Sequence, residues 1–231
     1  MKAIVINSSD YKEKDKQLVL FSLEKGKIYA VLKGVKSPNA KLKAAKEIFT
    51  FGDFILAESG SVVTSCEIID SFYDLTKNID AYFAGCLILE IINTVLQIGE
   101  PNPALFVETL KALEALCYDG VNSKYVADKF LISIFEGFGY RLSLTKCCCC
   151  GGPFMARRFL NLDSGEVVCY GCKAPNSVEI SSALHSALRV LSGTEYEKLG
   201  TLKLAKGSEI EALNLLADNF QNRFNKKLKI F

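Results

Sequence analysis

Four cysteines form the most constraining pattern in this chain: Cys147-x2-Cys150, eighteen residues, then Cys169-x2-Cys172. Tetrahedral Zn²⁺ takes four thiolates, and each C-x-x-C turn presents two sulfurs with a suitable bite. Gly151 after the first pair and Gly171 inside the second relieve the backbone crowding of such turns. Between the knuckles, Phe154 to Leu162 and Glu166 to Val168, either side of Asp163-Ser164-Gly165, read as a hairpin. Cys147, Cys148, Cys149 and Cys150 are consecutive, so the first-half ligands are not unique. The i, i+3 spacing favours Cys147 and Cys150 and leaves Cys148 and Cys149 as spare thiols. A redox C-x-x-C or a merely buried thiol cluster would not account for two matched pairs, and the βαβ setting of a thioredoxin motif is missing. Four thiolates leave no position for water. The expected ion is therefore one structural Zn²⁺ per chain rather than a catalytic one.

The remaining cysteines, Cys66, Cys86 and Cys117, are scattered, and the total of nine is odd. Met1 to Asn7 is too short an apolar run for a secretory signal, and no small-residue cleavage site follows. The expected compartment is the reducing cytoplasm, where clustered thiols bind metal more often than they form disulfides. The apolar stretch from Ala81 to Ile98 carries Glu90, Asn93 and Gln97 and reads as a buried helix rather than a bilayer span.

Periodicity divides the chain into zones. Ala3–Ile6, Gln17–Leu23, Lys27–Lys33, Phe49–Ala57 and Val62–Phe72 are short and rich in β-branched or aromatic residues, as strands are. Turn signals separate them at Asn7-Ser8-Ser9-Asp10, Lys25-Gly26, Ser37-Pro38-Asn39 and Ser59-Gly60. Five short strands suit a small antiparallel barrel of the SH3-like or oligonucleotide-binding (OB) kind. Helical spacing then predicts helices over Ile79–Ile98, Ala104–Tyr118, Ser123–Phe138, Ser181–Leu191 and about Ser208–Lys229.

Net charge argues weakly about partners: 28 Lys and Arg face 26 Asp and Glu, leaving +2. A strongly basic balance would be the ordinary footprint of a nucleic-acid binder. Position reverses that reading. Between Glu24 and Glu47 stand seven lysines and no acid: Lys25, Lys27, Lys33, Lys36, Lys41, Lys43 and Lys46. On a barrel face they could hold phosphates, with Tyr29, Phe49 and Phe51 offering stacking surfaces for bases. A solvated lysine loop is the competing reading. Arg157 and Arg158 in the hairpin, and Arg223, Lys226, Lys227 and Lys229 near the C-terminus, are smaller basic spots. Catalysis has no visible apparatus. No phosphate-binding loop occurs, and His185, the one histidine, reads as a core or solvated helix residue.

The order barrel, helices, cysteine insert, helices resembles the RecO recombination-mediator family. Ala3-Ile4-Val5-Ile6 followed by Tyr11 and Asp15, then Lys33-Gly34-Val35-Lys36-Ser37 and Phe51-Gly52-Asp53, carry the resemblance in the first half. Gly137-Phe138-Gly139-Tyr140 leading through Leu142 to the paired cysteines carries it in the second. The basic loop bears lysines where many relatives have arginines, and the four-cysteine run is unusual. The resemblance implies an α+β fold: an OB-fold DNA-binding barrel in residues 1–75, then an α-helical domain in residues 76–231. The zinc-ribbon-like hairpin is inserted at residues 145–175. It also implies a non-enzymatic, cytoplasmic, nucleoid-associated protein that binds single- and double-stranded DNA and anneals complementary strands. With RecR, such a protein helps load RecA onto strands coated by single-stranded-DNA-binding protein. On this chain the expected phosphate contacts are Lys33, Lys36, Lys41, Lys43 and Lys46. A different class, a zinc-ribbon adaptor whose barrel binds a protein instead of DNA, would show salt-insensitive partner binding.

Overall fold

Alternation of apolar and polar residues builds the N-terminal sheet. The computed structural model describes residues 1–231 apart from Ser59, Arg141, Ala156, Asp163, Ile230 and Phe231. The turns expected at Ser59-Gly60 and Asp163-Ser164-Gly165 lie partly outside the described residues. Strands β1 (Lys2–Tyr11), β2 (Asp15–Ser22), β3 (Gly26–Leu32), β4 (Phe51–Leu56) and β5 (Val63–Asp70) pair antiparallel in the order β3-β2-β1-β4-β5. Ala3, Val5, Leu18, Leu20, Ala30, Leu32, Phe54 and Val63 point inward and are all but fully buried. The edges meet where the Val31 N–H donates to the Ser61 carbonyl at 2.8 Å beside a parallel Val31–Val62 bridge. That closes the sheet into an OB-type barrel.

One expected turn is strand instead. Asn7-Ser8-Ser9-Asp10 continues β1 past a bulge between Val5 and Asn7, opposite Val19, Leu18, Gln17 and Lys16. The residues are polar because that end of the strand is largely solvent-exposed, not because the chain reverses there. The reversal comes at residues 12–14, with Lys12 at φ 54.

Contacts group the chain into two compact units, Met1–Cys117 and Tyr118–Phe231. The first unit therefore holds the barrel with α1 (Ile79–Val95) and α2 (Pro103–Tyr118, whose last residue crosses the division), although the change from strand to helix falls near residue 75. Asn78 caps α1, its Oδ1 accepting from the Asp80 and Ala81 N–H groups at 3.0 and 3.2 Å. Phe21 on β2 and Phe51 on β4 both meet Phe106 of α2 edge to face.

The second unit comprises α3 (Ser123–Gly137), α4 (Ser182–Gly193) and α5 (Ser208–Phe224) with a small sheet. Its strands β6 (Arg158–Asn161), β7 (Val167–Cys169) and β8 (Ser177–Ile180) run in the order β7-β6-β8. Strand β8, only four residues long, is a third strand beyond the expected hairpin. Helix α5 stops at Phe224 rather than Lys229, because Asn225 takes a left-handed conformation (φ 52) that ends it. No helix among the described residues is long and apolar enough to cross a membrane.

Within α3, Asp128 is fully buried and neither carboxylate oxygen has a hydrogen-bond partner among the described residues. Burial pushes its pKa well up, the nearby Glu209 charge adds to that, and Lys124 opposes it. A carboxyl group whose folded value is raised keeps its full contribution only at low pH. That contribution shrinks as pH climbs above 3.8, its ordinary unfolded value. Asp128→Leu should therefore raise stability at pH 8, by about 1 kcal/mol or more, and by less at pH 5. Calorimetry at the two pH values checks this; equal destabilisation at both would contradict it.

Candidate metal centre and basic loop

The cysteine insert is folded so that its two turns face one another. The first turn, Cys147 to Cys150, closes by a Gly151 N–H to Cys147 carbonyl bond of 2.9 Å. Gly151 takes φ 69, which only glycine adopts without steric cost. Gly171, expected to play the same part in the second turn, has no positive φ; that turn is a short 3₁₀ segment from Tyr170 to Cys172. Strand β7 delivers Cys169 beside the first turn, where its N–H donates to Cys147 Sγ at 3.3 Å. The Sγ atoms of Cys147, Cys150, Cys169 and Cys172 all lie within 4.8 Å of one another, and Cys150 and Cys169 stand 3.9 Å apart. Zn–S bonds of about 2.3 Å in a tetrahedron place sulfurs roughly 3.8 Å apart, so this set needs only a small contraction to hold the ion.

Thiol acidity separates Cys147 from Cys148 in the first turn. Burial disfavours the charged form of Cys147, but the backbone N–H groups of Cys150, Cys169 and Cys149 overcome it and bring its pKa down to about 6. Cys148 goes the other way, up to about 11, chiefly because its thiol is hydrogen-bonded to Glu166. The thiol of Cys172 is also held protonated, first by the neighbouring Cys169 and Cys150 sulfurs. A divalent cation bound there would displace such protons. Cys148, Cys149 and Cys150 are exposed, whereas Cys147 is buried against Phe159 and Val168, with Phe154, Cys169 and Cys172 packed around them. His185 is buried on α4, with its ring 5.4 Å from that of Phe154.

Of the seven lysines between Glu24 and Glu47, Lys27 leaves the patch: it is buried and its Nζ donates to the Asn93 carbonyl at 2.7 Å. Lys25, Lys33, Lys36, Lys41 and Lys43 are exposed, and Lys46 is half-buried. The loop after β3 is pinned by Val35 and Ala45, both 1% exposed, and projects Lys33, Lys36, Lys41 and Lys43 outward. Lys36 ion-pairs with Asp10 at 3.2 Å, and Lys46 lies 3.6 Å from Glu47. Lys33, Lys41 and Lys43 have no carboxylate within 4.0 Å among the described residues.

The stacking surfaces need correction. Phe49 is 2% exposed and packs on Tyr82 and against Gly85, while Phe51 packs against Phe106. Both rings serve the core, because the chain enters β4 between the barrel and α1. Only Tyr29 remains exposed. The structure adds Lys12, Lys14 and Lys16 from the β1–β2 reversal. The Lys36 N–H donates to the Lys14 carbonyl at 3.1 Å, and Lys36 Nζ reaches the Lys12 carbonyl at 3.5 Å. Their alternation with Glu13 and Asp15 masked them in the sequence, since charge counted along the chain cancels there.

Comparison with known proteins extends this over the whole chain. Residues 1–72 match the family model for the N terminal of recombination protein O, and residues 76–229 match that for its C terminal. The DNA repair protein RecO of Desulfitobacterium hafniense (strain DSM 10664 / DCB-2) is 30% identical, over 98% of this chain and 85% of the relative. That of Clostridium novyi (strain NT) is 28% identical, over 99% of this chain and 90% of the relative. The RecO of Caldicellulosiruptor saccharolyticus is 25% identical, over 99% of this chain and 94% of the relative.

Proposed function

This chain belongs to the RecO family of DNA repair proteins, and on that premise we propose that it is a recombination mediator that binds DNA and anneals complementary strands. It holds single and double strands on the barrel through Lys33, Lys36, Lys41, Lys43 and Lys46. The observation that carries this reading is the closed five-stranded barrel with Lys33, Lys41 and Lys43 exposed on one loop and without a carboxylate within 4.0 Å among the described residues. Each lysine that meets a phosphate releases condensed counterions, which supplies affinity without sequence preference. Annealing follows from the same chemistry. Two strands repel through their phosphates, and a surface that neutralises both lowers the cost of their encounter. With RecR as partner, the protein promotes RecA loading on strands coated by single-stranded-DNA-binding protein, in the cytoplasm and at the nucleoid. The part played by this chain is binding and positioning rather than bond chemistry.

In the second unit, Cys147, Cys150, Cys169 and Cys172 hold one Zn²⁺. The ion supplies a cross-link between the two turns, and the chain's own contribution is to present four sulfurs at nearly the required spacing. A strand-annealing assay with complementary oligonucleotides carrying a donor and an acceptor dye tests the central reading. The annealing rate should rise severalfold with protein and fall back in high salt. A rate equal to that without protein would contradict it.

A further inference from the structure

Tyr170 is a large aromatic residue placed where metal binding does not require one. It is the first residue inside the Cys169–Cys172 turn and remains 57% exposed. Its ring leans on Phe159, centroid to centroid 6.1 Å, and Phe159 is buried against the cysteine cluster. Two cations lie over the pair. Lys173 Nζ lies 4.7 Å from the Tyr170 centroid and 5.2 Å from that of Phe159. Arg157 Cζ lies 5.4 Å and 5.3 Å from the same two rings. Arg157 is in turn fastened by Glu179, its Nε donating to one carboxylate oxygen at 2.8 Å and its Nη2 to the other at 2.5 Å. Glu179 stands opposite Phe159 in the β6–β8 register, which is why these groups share one face of the small sheet.

An exposed ring leaning on a buried one, with a long flexible cation over it that can swing aside to an adjoining phosphate, has the chemistry that holds an unpaired base: a π face for stacking and positive charge beside it. We propose that Tyr170, with Arg157 and Lys173, is a stacking platform for an unpaired base of single-stranded DNA, a second nucleic-acid site on the zinc hairpin. The proposal rests on the reading that this chain binds DNA. Lys173 takes the phosphate, because Arg157 already spends its charge on Glu179. A four-thiolate zinc centre carries net negative charge, and Lys173 next to Cys172 offsets part of it. Stacking, which does not depend on that charge, therefore dominates the expected effect. Duplex DNA keeps its base faces covered, so the platform favours single strands.

The test is fluorescence anisotropy of a labelled mixed-sequence single strand and of a labelled duplex, with zinc content measured on every sample. Tyr170→Ala should weaken single-strand binding about tenfold and leave duplex binding and the salt slope unchanged. Tyr170→Phe, which keeps the ring, should bind as wild type. Tyr170→Leu, which keeps apolar bulk but no π face, should lose affinity while retaining zinc. A 2-aminopurine in the strand should be quenched by the wild type and not by Tyr170→Ala. Tyr170→Ala or Tyr170→Leu binding single strands as well as Tyr170→Phe overturns the platform, and so does an equal loss on duplex. If Lys36→Glu with Lys43→Glu abolishes binding while Tyr170→Ala does not weaken it, the platform alone falls. A wild-type protein that binds no single strand overturns both readings.

Discussion

Replacing Cys169 by serine is expected to strip the chain of zinc and lower its melting temperature by about 10 °C or more. Cys169 touches the centre twice, through Sγ 3.9 Å from Cys150 Sγ and through its N–H to Cys147 Sγ at 3.3 Å. A serine oxygen restores neither the soft ligand nor the thiolate charge. Structural four-thiolate sites bind zinc with about 10–16 kcal/mol at neutral pH, and most of that is folding free energy of the segment that holds the ion. The sheet β7-β6-β8 has few buried residues beyond Phe159, Leu160, Val167, Val168 and Ile180, so little else holds the two turns together. Cys148→Ser is the control. Its sulfur is not one of the four that lie within 4.8 Å of one another, so zinc should remain at one ion per chain. Metal analysis by mass spectrometry with thermal unfolding reads both variants. A Cys169→Ser protein that keeps its zinc and its melting temperature would remove the assignment.

The second large effect is expected in the barrel. Lys36→Glu together with Lys43→Glu should weaken DNA binding by about 10- to 100-fold at moderate salt and flatten the dependence of log K on log [salt] by about two phosphate contacts. The two positions differ in an informative way. Lys43 is exposed with no carboxylate within 4.0 Å among the described residues, whereas Lys36 shares Asp10 and holds that carboxyl below its usual range, chiefly by hydrogen bonding. Lys36→Glu alone therefore adds repulsion to Asp10 and should disturb the loop slightly, while Lys43→Glu alone acts on DNA without touching stability. An unchanged slope in the double variant would show that these lysines do not meet phosphates.

How much of this was legible in the sequence depended on whether the signal was local. The cysteine pairs declare themselves by spacing alone, and the four sulfurs do converge. The five barrel strands follow from alternation and β-branched content, because in a small barrel one face of each strand must be buried. Non-local pairing was not legible. Ser8 and Ser9 look like turn residues until β2 is seen opposite them, and β8 is too short to carry any period. Burial of Phe49 and Lys27, and the packing of half-buried Phe51 on Phe106, depend on α1 and α2, far along the chain, so their exposure could not be read from the strand zone itself. Lys36 appeared acid-free within its own run, yet its partner Asp10 comes from another strand. Tyr170 stood unmarked between two cysteines because cations at positions 157 and 173 meet it only once β6 and the second turn are folded together.

The central claim, that the barrel's lysine loop holds nucleic-acid phosphates, is tested most directly by anisotropy of a labelled single strand on the wild-type protein across a salt series. Loop lysines that meet phosphates predict a straight line of log K against log [salt], with a slope of about −0.7 for each contact and thus near −3 for several lysines acting together. Binding that does not change with salt, or no binding at the lowest salt, would contradict it and favour a protein partner for the barrel.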